Sequence, residues 1–163
     1  MLTSDAELCS HALTLCQRLI RIDTTNPPGN ERPAAELLAE ELCQAGLEPV
    51  VLESAPRRAN LVVRLRGTGE APPLLLTAHL DVVAAEPSAW QIPPFSYLVP
   101  GFTDAKAFSR LGIRWYGFCP VRLPRALRFA DLFHGHNERI PLDGLRWGTQ
   151  VLAEVVGRCA KPI

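Results

Sequence analysis

The chain has 163 residues, 47% of them hydrophobic and 21% charged, which is typical of one globular domain with an ordinary core. Its 17 Lys and Arg residues balance its 17 Asp and Glu residues, so no net charge draws it to nucleic acid or to an anionic membrane. Its apolar runs are too short to cross a bilayer, and its first residues lack the basic and apolar regions of a signal peptide.

Two amphipathic helices are predicted in the first third of the chain. Ser4 begins an S-x-x-E capping box, and apolar residues at helical spacing follow to about Ile22. After a proline-rich loop, Asn30 can cap a second helix that carries Pro33 in its first turn, where a missing N–H costs little. Gly46 then ends this helix, because glycine readily adopts the left-handed conformation found at helix C-termini.

Three segments rich in Val and Leu predict β-strands: LEPVVLES, ANLVVRLRG and PLLLTAHLDVV. Because these strands follow helices, we predict an α/β fold with a mixed, largely parallel sheet flanked by helices. The third segment is the most apolar, so Leu74, Leu75 and Leu76 should be buried on both faces of a central strand. This strand ends by placing His79 and Asp81 two residues apart.

Beyond this strand the chain is rich in proline and mostly irregular. Thr103 can cap a short helix that extends to Leu111, and the segment IRWYGF is predicted to form one more strand. A final helix is predicted from about Asp143 to Cys159. Its core-facing residues are predicted to be Leu145, Leu152, Val155 and Val156.

The five cysteines are scattered along the chain and form no C-x-x-C pair. This spacing argues against a disulfide framework and against a structural zinc site built from thiolates. It predicts reduced thiols and a cytoplasmic compartment.

The H-x-D pair at His79 and Asp81 is the first candidate for chemistry. Open α/β sheets keep their ligand sites at the carboxyl ends of strands, which is where this pair is predicted to lie. Neutral imidazole is a good zinc ligand, and a neighbouring carboxylate commonly fixes its tautomer. A hydrogen-bonded structural histidine has the same pattern, so the motif alone leaves both interpretations open.

A second polar cluster, HGHNERIP, contains His134, His136 and Glu138. Two histidines beside a carboxylate can ligate a metal, and the same residues also suit a solvated polar loop. The spacing does not decide between these two interpretations.

Taken in order, these segments resemble the dinuclear-zinc amidohydrolase and peptidase family, which includes acetylornithine deacetylase, succinyl-diaminopimelate desuccinylase, aminoacylases and glutamate carboxypeptidase-like enzymes. The resemblance covers nearly the whole chain and is carried by TTNPPGNE, PLLLTAHLDVV, EPSAWQIPPFS, GFTDAKAF, LGIRWYGFCP and LFHGHNERIPLDGL. It implies a zinc-exopeptidase-like catalytic domain that hydrolyses the amide bond of an N-acyl amino acid or small peptide. The family uses two zinc ions, for which cobalt can substitute.

The resemblance also implies roles for single residues. His79 matches the ligand of one zinc, His134 matches the ligand of the other, and Asp81 matches the catalytic carboxylate that holds and polarises His79. His136 occupies a variable position. Asp104 matches a TDA stretch beside the active site, and an alternative match makes it a replacement for the aspartate that bridges the two metals.

The chain departs from the family at the junction of Ser96 and Tyr97. Family members carry there the bridging aspartate, a Glu-Glu pair with the catalytic base, a further carboxylate ligand, and a lid or dimerisation domain. We therefore predict a single shortened catalytic-type domain over residues 1–163 without that lid, made of an N-terminal family segment, 1–96, and a C-terminal one, 97–163.

Two functions follow as predictions. In the first, the chain hydrolyses N-acyl amino acids or small peptides with zinc, impaired by the missing ligands and base. In the second, it is a noncatalytic truncated remnant or interaction module with at most weak metal binding. Loss of central strands would leave sheet edges unpaired, which favours self-association.

Overall fold

The computed structural model describes residues 4–70, 73–89, 91, 118–128, 132 and 135–160. Within these residues the chain forms three α-helices, one antiparallel two-stranded sheet and a short 3-10 turn at Pro87–Ala89. The helices and strands are α1 (Asp5–Ile20), α2 (Arg32–Gln44), β1 (Val50–Ala55), β2 (Arg58–Val62) and α3 (Leu142–Cys159).

Helix α1 begins with the predicted capping box. The backbone N–H of Ser4 donates to Oε2 of Glu7 at 2.8 Å, and the backbone N–H of Glu7 donates to Oγ of Ser4 at 3.3 Å. Each bond satisfies a backbone donor that the helix leaves without an internal partner. The helix ends at Ile20, slightly before the predicted Ile22.

Helix α2 also forms where the sequence predicts it, but the predicted cap, Asn30, does not occupy the N-cap position. Glu31 occupies the N-cap position, while the side-chain amide of Asn30 donates to the carbonyl oxygen of Asp23 at 3.0 Å. Pro33 lies in the first turn as predicted. Gly46, with a φ of 79°, follows the helix and donates its N–H back into the last turn, so the predicted glycine stop is confirmed.

Strands β1 and β2 form a hairpin on which helix α2 packs. Val51 pairs with Leu61 and Glu53 pairs with Ala59. Ala59 is buried, as are Ala34 and Ala35 of α2, the helix that packs on both strands. By the alternation of the pleat, the opposite face carries Val50, Leu52 and Val62, which are all more than half exposed. The hairpin therefore has one partly buried face, with Ala59 in the core, and leaves its other apolar face open.

The prediction of a mixed, largely parallel sheet is wrong. Only Pro56 and Arg57 connect β1 to β2, and a connection this short permits antiparallel pairing alone, since a parallel crossover needs a dozen residues or more. The segment 73–81 belongs to no strand, and the isolated parallel bridge between Thr25 and Val82 is the β-pairing found for residues 73–89.

The predicted burial of the leucine run is also wrong. Leu74, Leu75 and Leu76 are 51%, 57% and 60% exposed. An apolar run is buried on both faces only when neighbouring strands pair with it and helices cover it. The composition of the leucine run indicates a tendency to be buried. It does not determine whether other strands and helices lie beside the run.

Helix α3 forms as predicted and packs on helix α1. The thiol of Cys9 in α1 donates to the carbonyl oxygen of Arg146 in α3, with 3.6 Å between sulfur and oxygen. The predicted core face is wrong in part, because Leu152 and Val155 are 40% and 38% exposed.

Two glycines of α3 are buried where residues 120–122 cross the helix. A Cβ atom on Gly144 would overlap the carbonyl oxygen of Arg122, and one on Gly148 would overlap the carbonyl oxygen of Pro120. Helix α3 thus uses the absence of side chains at these positions to let another backbone segment approach closely.

Several predictions fall on residues that the structure does not describe. These are the helix from Thr103 to Leu111, most of the strand IRWYGF, and the junction at Ser96 and Tyr97. The helices in the described part of the chain are all too short or too polar to span a bilayer. The five cysteines all lie in that part and are free thiols.

Candidate functional site

The loop between α1 and α2 runs alongside the segment that carries His79 and Asp81. The buried hydroxyl of Thr24 donates to the carbonyl oxygen of Leu80 at 2.7 Å. The N–H of Val82 donates to the carbonyl oxygen of Thr24 at 3.2 Å, and the N–H of Asn26 donates to the carbonyl oxygen of Val82 at 2.9 Å. These bonds fix the register of the two segments and place Asn26 beside Asp81.

His79 and Asp81 contact each other directly and are partly exposed. Nδ1 of His79 lies 3.0 Å from Oδ1 of Asp81 and 2.9 Å from the carbonyl oxygen of the same residue. Both oxygens are acceptors, so Nδ1 must carry the proton that it shares with them. In a neutral His79 the lone pair is then on Nε2, the arrangement of a histidine whose other nitrogen ligates a metal.

The carboxylate of Asp81 is held from its other side by Asn26. Oδ2 of Asp81 accepts a hydrogen bond from the side-chain amide of Asn26 at 2.8 Å. This bond is the main reason that the pKa of Asp81 lies below its ordinary value; the hydrogen bond and charge of His79 act in the same direction, while partial burial opposes them. Asp81 is therefore ionised near neutral pH and is a strong acceptor for the imidazole N–H.

Asn26 is in turn oriented by an ion pair. Nη1 of Arg58, in β2, donates to Oδ1 of Asn26 at 3.4 Å. The same guanidinium binds Glu31 through two bonds, from Nη2 at 2.8 Å and from Nε at 3.2 Å. Glu31 is only 6% exposed, so this bidentate pair stabilises a carboxylate that is otherwise removed from water. Five side chains thus form one connected series: Glu31, Arg58, Asn26, Asp81 and His79.

Gly29 makes room for this series. Its φ is 91°, and a Cβ atom there would lie 2.8 Å from Nε of Arg58 and 2.9 Å from Oε1 of Glu31. Both the left-handed backbone and the crowding require glycine at this position.

Sequence reasoning singled out His79 and Asp81 but missed the residues that hold them. Arg58 is remote in sequence from Asn26 and Glu31, and nothing in its own segment distinguishes it from the other arginines. A usable signal was present in NPPGNE, where polar residues and a glycine follow one another in a loop between two amphipathic helices. A glutamate buried at such a place requires a cationic partner.

The second predicted ligand, His134, lies outside the described residues, as does Asp104. The role of His134 as the ligand of the other zinc is therefore still a prediction. Asn137, in the same HGHNER segment, has a φ of 58°, and its side-chain oxygen accepts the N–H of Gln91 at 2.8 Å. This bond joins the C-terminal polar cluster to the chain that follows the His79 segment, while His136 is exposed.

The described side chains fit one part of a zinc centre. His79 has the hydrogen-bonded partner and the tautomer of a zinc ligand. Among residues 4–70, 73–89, 91, 118–128, 132 and 135–160 there is no group of three or more His, Cys, Asp or Glu residues that could hold a metal ion. A hydrolytic zinc site needs about three protein ligands and one open position, so these residues alone do not form one.

Comparison with known proteins adds no family assignment. No family model matches the chain. No curated protein matches it significantly. The resemblance to the zinc amidohydrolases therefore depends on the order of the sequence motifs.

Proposed function

We propose that the chain is a shortened relative of the dinuclear-zinc amidohydrolases that retains one oriented zinc ligand and lacks efficient hydrolase activity. The observation that carries the proposal is the contact between Nδ1 of His79 and the Asp81 carboxylate, which Asn26 holds in turn. This arrangement is the one expected of a histidine that ligates zinc through Nε2. The cytoplasmic compartment, which the free thiols favour, belongs to the same proposal.

The expected loss of activity follows from the chemistry of amide hydrolysis. A bound zinc ion would supply a polarised, activated water at this site. General acid–base catalysis contributes about 10²–10⁴-fold more, and it needs a group that takes the proton of the water and gives it to the leaving amine. In this chain Asp81 is already engaged by Asn26 and His79. The family segment that carries the Glu-Glu pair is missing from the sequence at the junction of Ser96 and Tyr97.

The activity test follows the release of free amino acid from N-acetyl amino acids, N-succinyl amino acids and dipeptides, with zinc or cobalt added. We expect turnover far below the range of about 1–10³ per second that is usual for enzymes. Turnover within that range, abolished in His79→Ala and retained in His136→Ala, would overturn the proposal. His136 is the matched control because it is an exposed histidine outside the series described above.

A zinc titration by calorimetry tests the retained ligand. We expect one ion to bind, weakly, and we expect His79→Ala to remove that binding while His136→Ala keeps it. Two tightly bound ions would instead support an intact dinuclear centre and contradict the proposal.

A second function is favoured by the open face of the hairpin. Val50, Leu52 and Val62 form an exposed apolar patch on a two-stranded sheet, and an unpaired strand edge is a template for pairing with another chain. We propose on this ground that a noncatalytic form of the chain associates with a second copy through the hairpin. Sedimentation velocity at several protein concentrations tests it, and a monomer at all of them would contradict it.

A further inference from the structure

The series of side chains that leads to His79 begins with the ion pair of Glu31 and Arg58. Glu31 stands at the N-cap position of α2, and Arg58 lies in β2, so the bidentate ion pair joins two elements that also pack on each other. A bidentate arginine–carboxylate pair has a defined planar geometry, unlike the point contact of a lysine. The guanidinium is therefore held in one orientation relative to the loop that carries Asn26.

That orientation decides how the amide of Asn26 is turned. A guanidinium has only donors, so the atom of Asn26 that faces Arg58 must be the oxygen. The amide nitrogen then faces the carboxylate of Asp81, which has only acceptors when ionised. The opposite rotamer would set N–H against N–H and oxygen against oxygen, so the amide has a single favourable orientation.

We infer that Arg58 and Asn26 are positioning residues that fix the tautomer of His79 through Asp81. With Oδ2 of Asp81 held by Asn26, Oδ1 is directed at Nδ1 of His79 beside the carbonyl oxygen of the same residue, and the two acceptors keep the lone pair of the neutral ring on Nε2. In water an isolated imidazole favours the opposite tautomer, with the proton on Nε2. Asp81 therefore favours the tautomer that ligation through Nε2 requires, and Asn26 and Arg58 hold its carboxylate in place. The inference builds on the proposed function, which makes His79 a zinc ligand.

The test is long-range ¹H–¹⁵N NMR of the histidine rings in the metal-free chain at about pH 8, where ordinary imidazoles are neutral. His79→Gln identifies the His79 signals. We expect wild-type protein to show protonated Nδ1 and unprotonated Nε2 at His79. In Asn26→Ala and Arg58→Ala we expect the two ¹⁵N shifts to move toward the averaged values of an unconstrained ring.

Matched controls separate positioning from general perturbation. Asn60→Ala and Arg64→Ala remove the same side chains at exposed sites in or next to β2, and they should leave the His79 signals unchanged. If the alanine variants fail to fold, Asn26→Asp decides, because it has nearly the same shape and keeps an acceptor for Arg58 but cannot donate to Asp81. Wild-type His79 signals in folded Asn26→Asp would overturn the inference.

Zinc affinity gives a second readout. Loss of the groups behind a metal ligand typically lowers metal affinity by about 10–100-fold, and we expect that loss in Asn26→Ala but not in Asn60→Ala. Failure of the wild-type chain to bind zinc would contradict the proposed function, and the tautomer measurement would still decide the positioning role. Equal zinc affinity in wild type and Asn26→Ala would contradict the positioning role alone.

Discussion

The residues around His79 are held by hydrogen bonds more than by apolar burial. Thr24 and Glu31 are buried polar side chains, and each is satisfied by a defined partner, the carbonyl oxygen of Leu80 and the guanidinium of Arg58. Buried polar groups of this kind cost free energy unless they are paired. The conformation of the loop therefore depends on both pairs being made.

Substitution of Gly29 tests how closely Arg58 and Glu31 pack against this loop. We expect Gly29→Ala to destabilise the fold by more than about 1 kcal/mol, because it combines a strained left-handed backbone with a collision against Arg58 and Glu31. Gly69→Ala is the matched control, since Gly69 has a similar φ of 85° but no atom within 4 Å of its added Cβ. Chemical denaturation measures both variants, and equal losses would show that the crowding at Gly29 contributes nothing.

The candidate site could be predicted only in part from the sequence. His79 and Asp81 are neighbours in the chain, so their contact follows from local geometry. Arg58 reaches Asn26 and Glu31 only through the way the β1–β2 hairpin packs on α2. Spacing along the chain carries no information about such a contact.

At the scale of elements, the three described helices and the two strands of the hairpin were predictable, and the type of sheet was not. The capping box at Ser4, the glycine stop at Gly46 and the repeat of apolar residues all act within a few residues of each other. Strand pairing depends on which distant segment lies alongside, so LLLTAHLDVV predicts a strand that the folded chain does not form at residues 73–81.

Glycine-to-alanine substitutions at two positions of α3 are expected to change the stability of the fold in opposite directions. Gly148→Ala should destabilise the fold, because the new Cβ would overlap the carbonyl oxygen of Pro120. Gly157→Ala, in the same helix with open space around it, should stabilise the fold by about 0.5–1 kcal/mol through its higher helix propensity. Thermal unfolding of the two variants checks the difference in sign, and a gain in stability for both would contradict the close crossing at Gly148.

The exposed leucine run predicts a small effect at Leu75. Because Leu75 is 57% exposed, we expect Leu75→Ala to change the free energy of unfolding by no more than about 0.5 kcal/mol. Ala35→Leu is the contrasting variant, since Ala35 is fully buried and added volume there should cost about 1–3 kcal/mol. A loss of several kcal/mol for Leu75→Ala in urea unfolding would contradict the open environment of this segment.

At the scale of the molecule, apolar surface is buried unevenly across the described residues. The buried hydrophobic residues among those described are mostly small, namely Cys9, Ala34, Ala35, Ala59 and Leu132. Larger apolar side chains such as Val50, Leu52 and Val62 lie at the surface of the hairpin. Contiguous apolar patches on a protein surface commonly mark interaction sites.

We expect two copies of the chain to associate through this patch, and substitution of Leu52 tests that expectation. Burying a leucine contributes about 1.5–3 kcal/mol, so Leu52→Lys should weaken association by about tenfold or more. Leu152→Lys places the same charge on another exposed leucine, on α3, and should leave association unchanged. Sedimentation velocity over a hundredfold range of concentration distinguishes the two variants. If Leu52→Lys and Leu152→Lys behave alike, the copies do not meet through the hairpin, and its apolar face would have to be explained without a second copy.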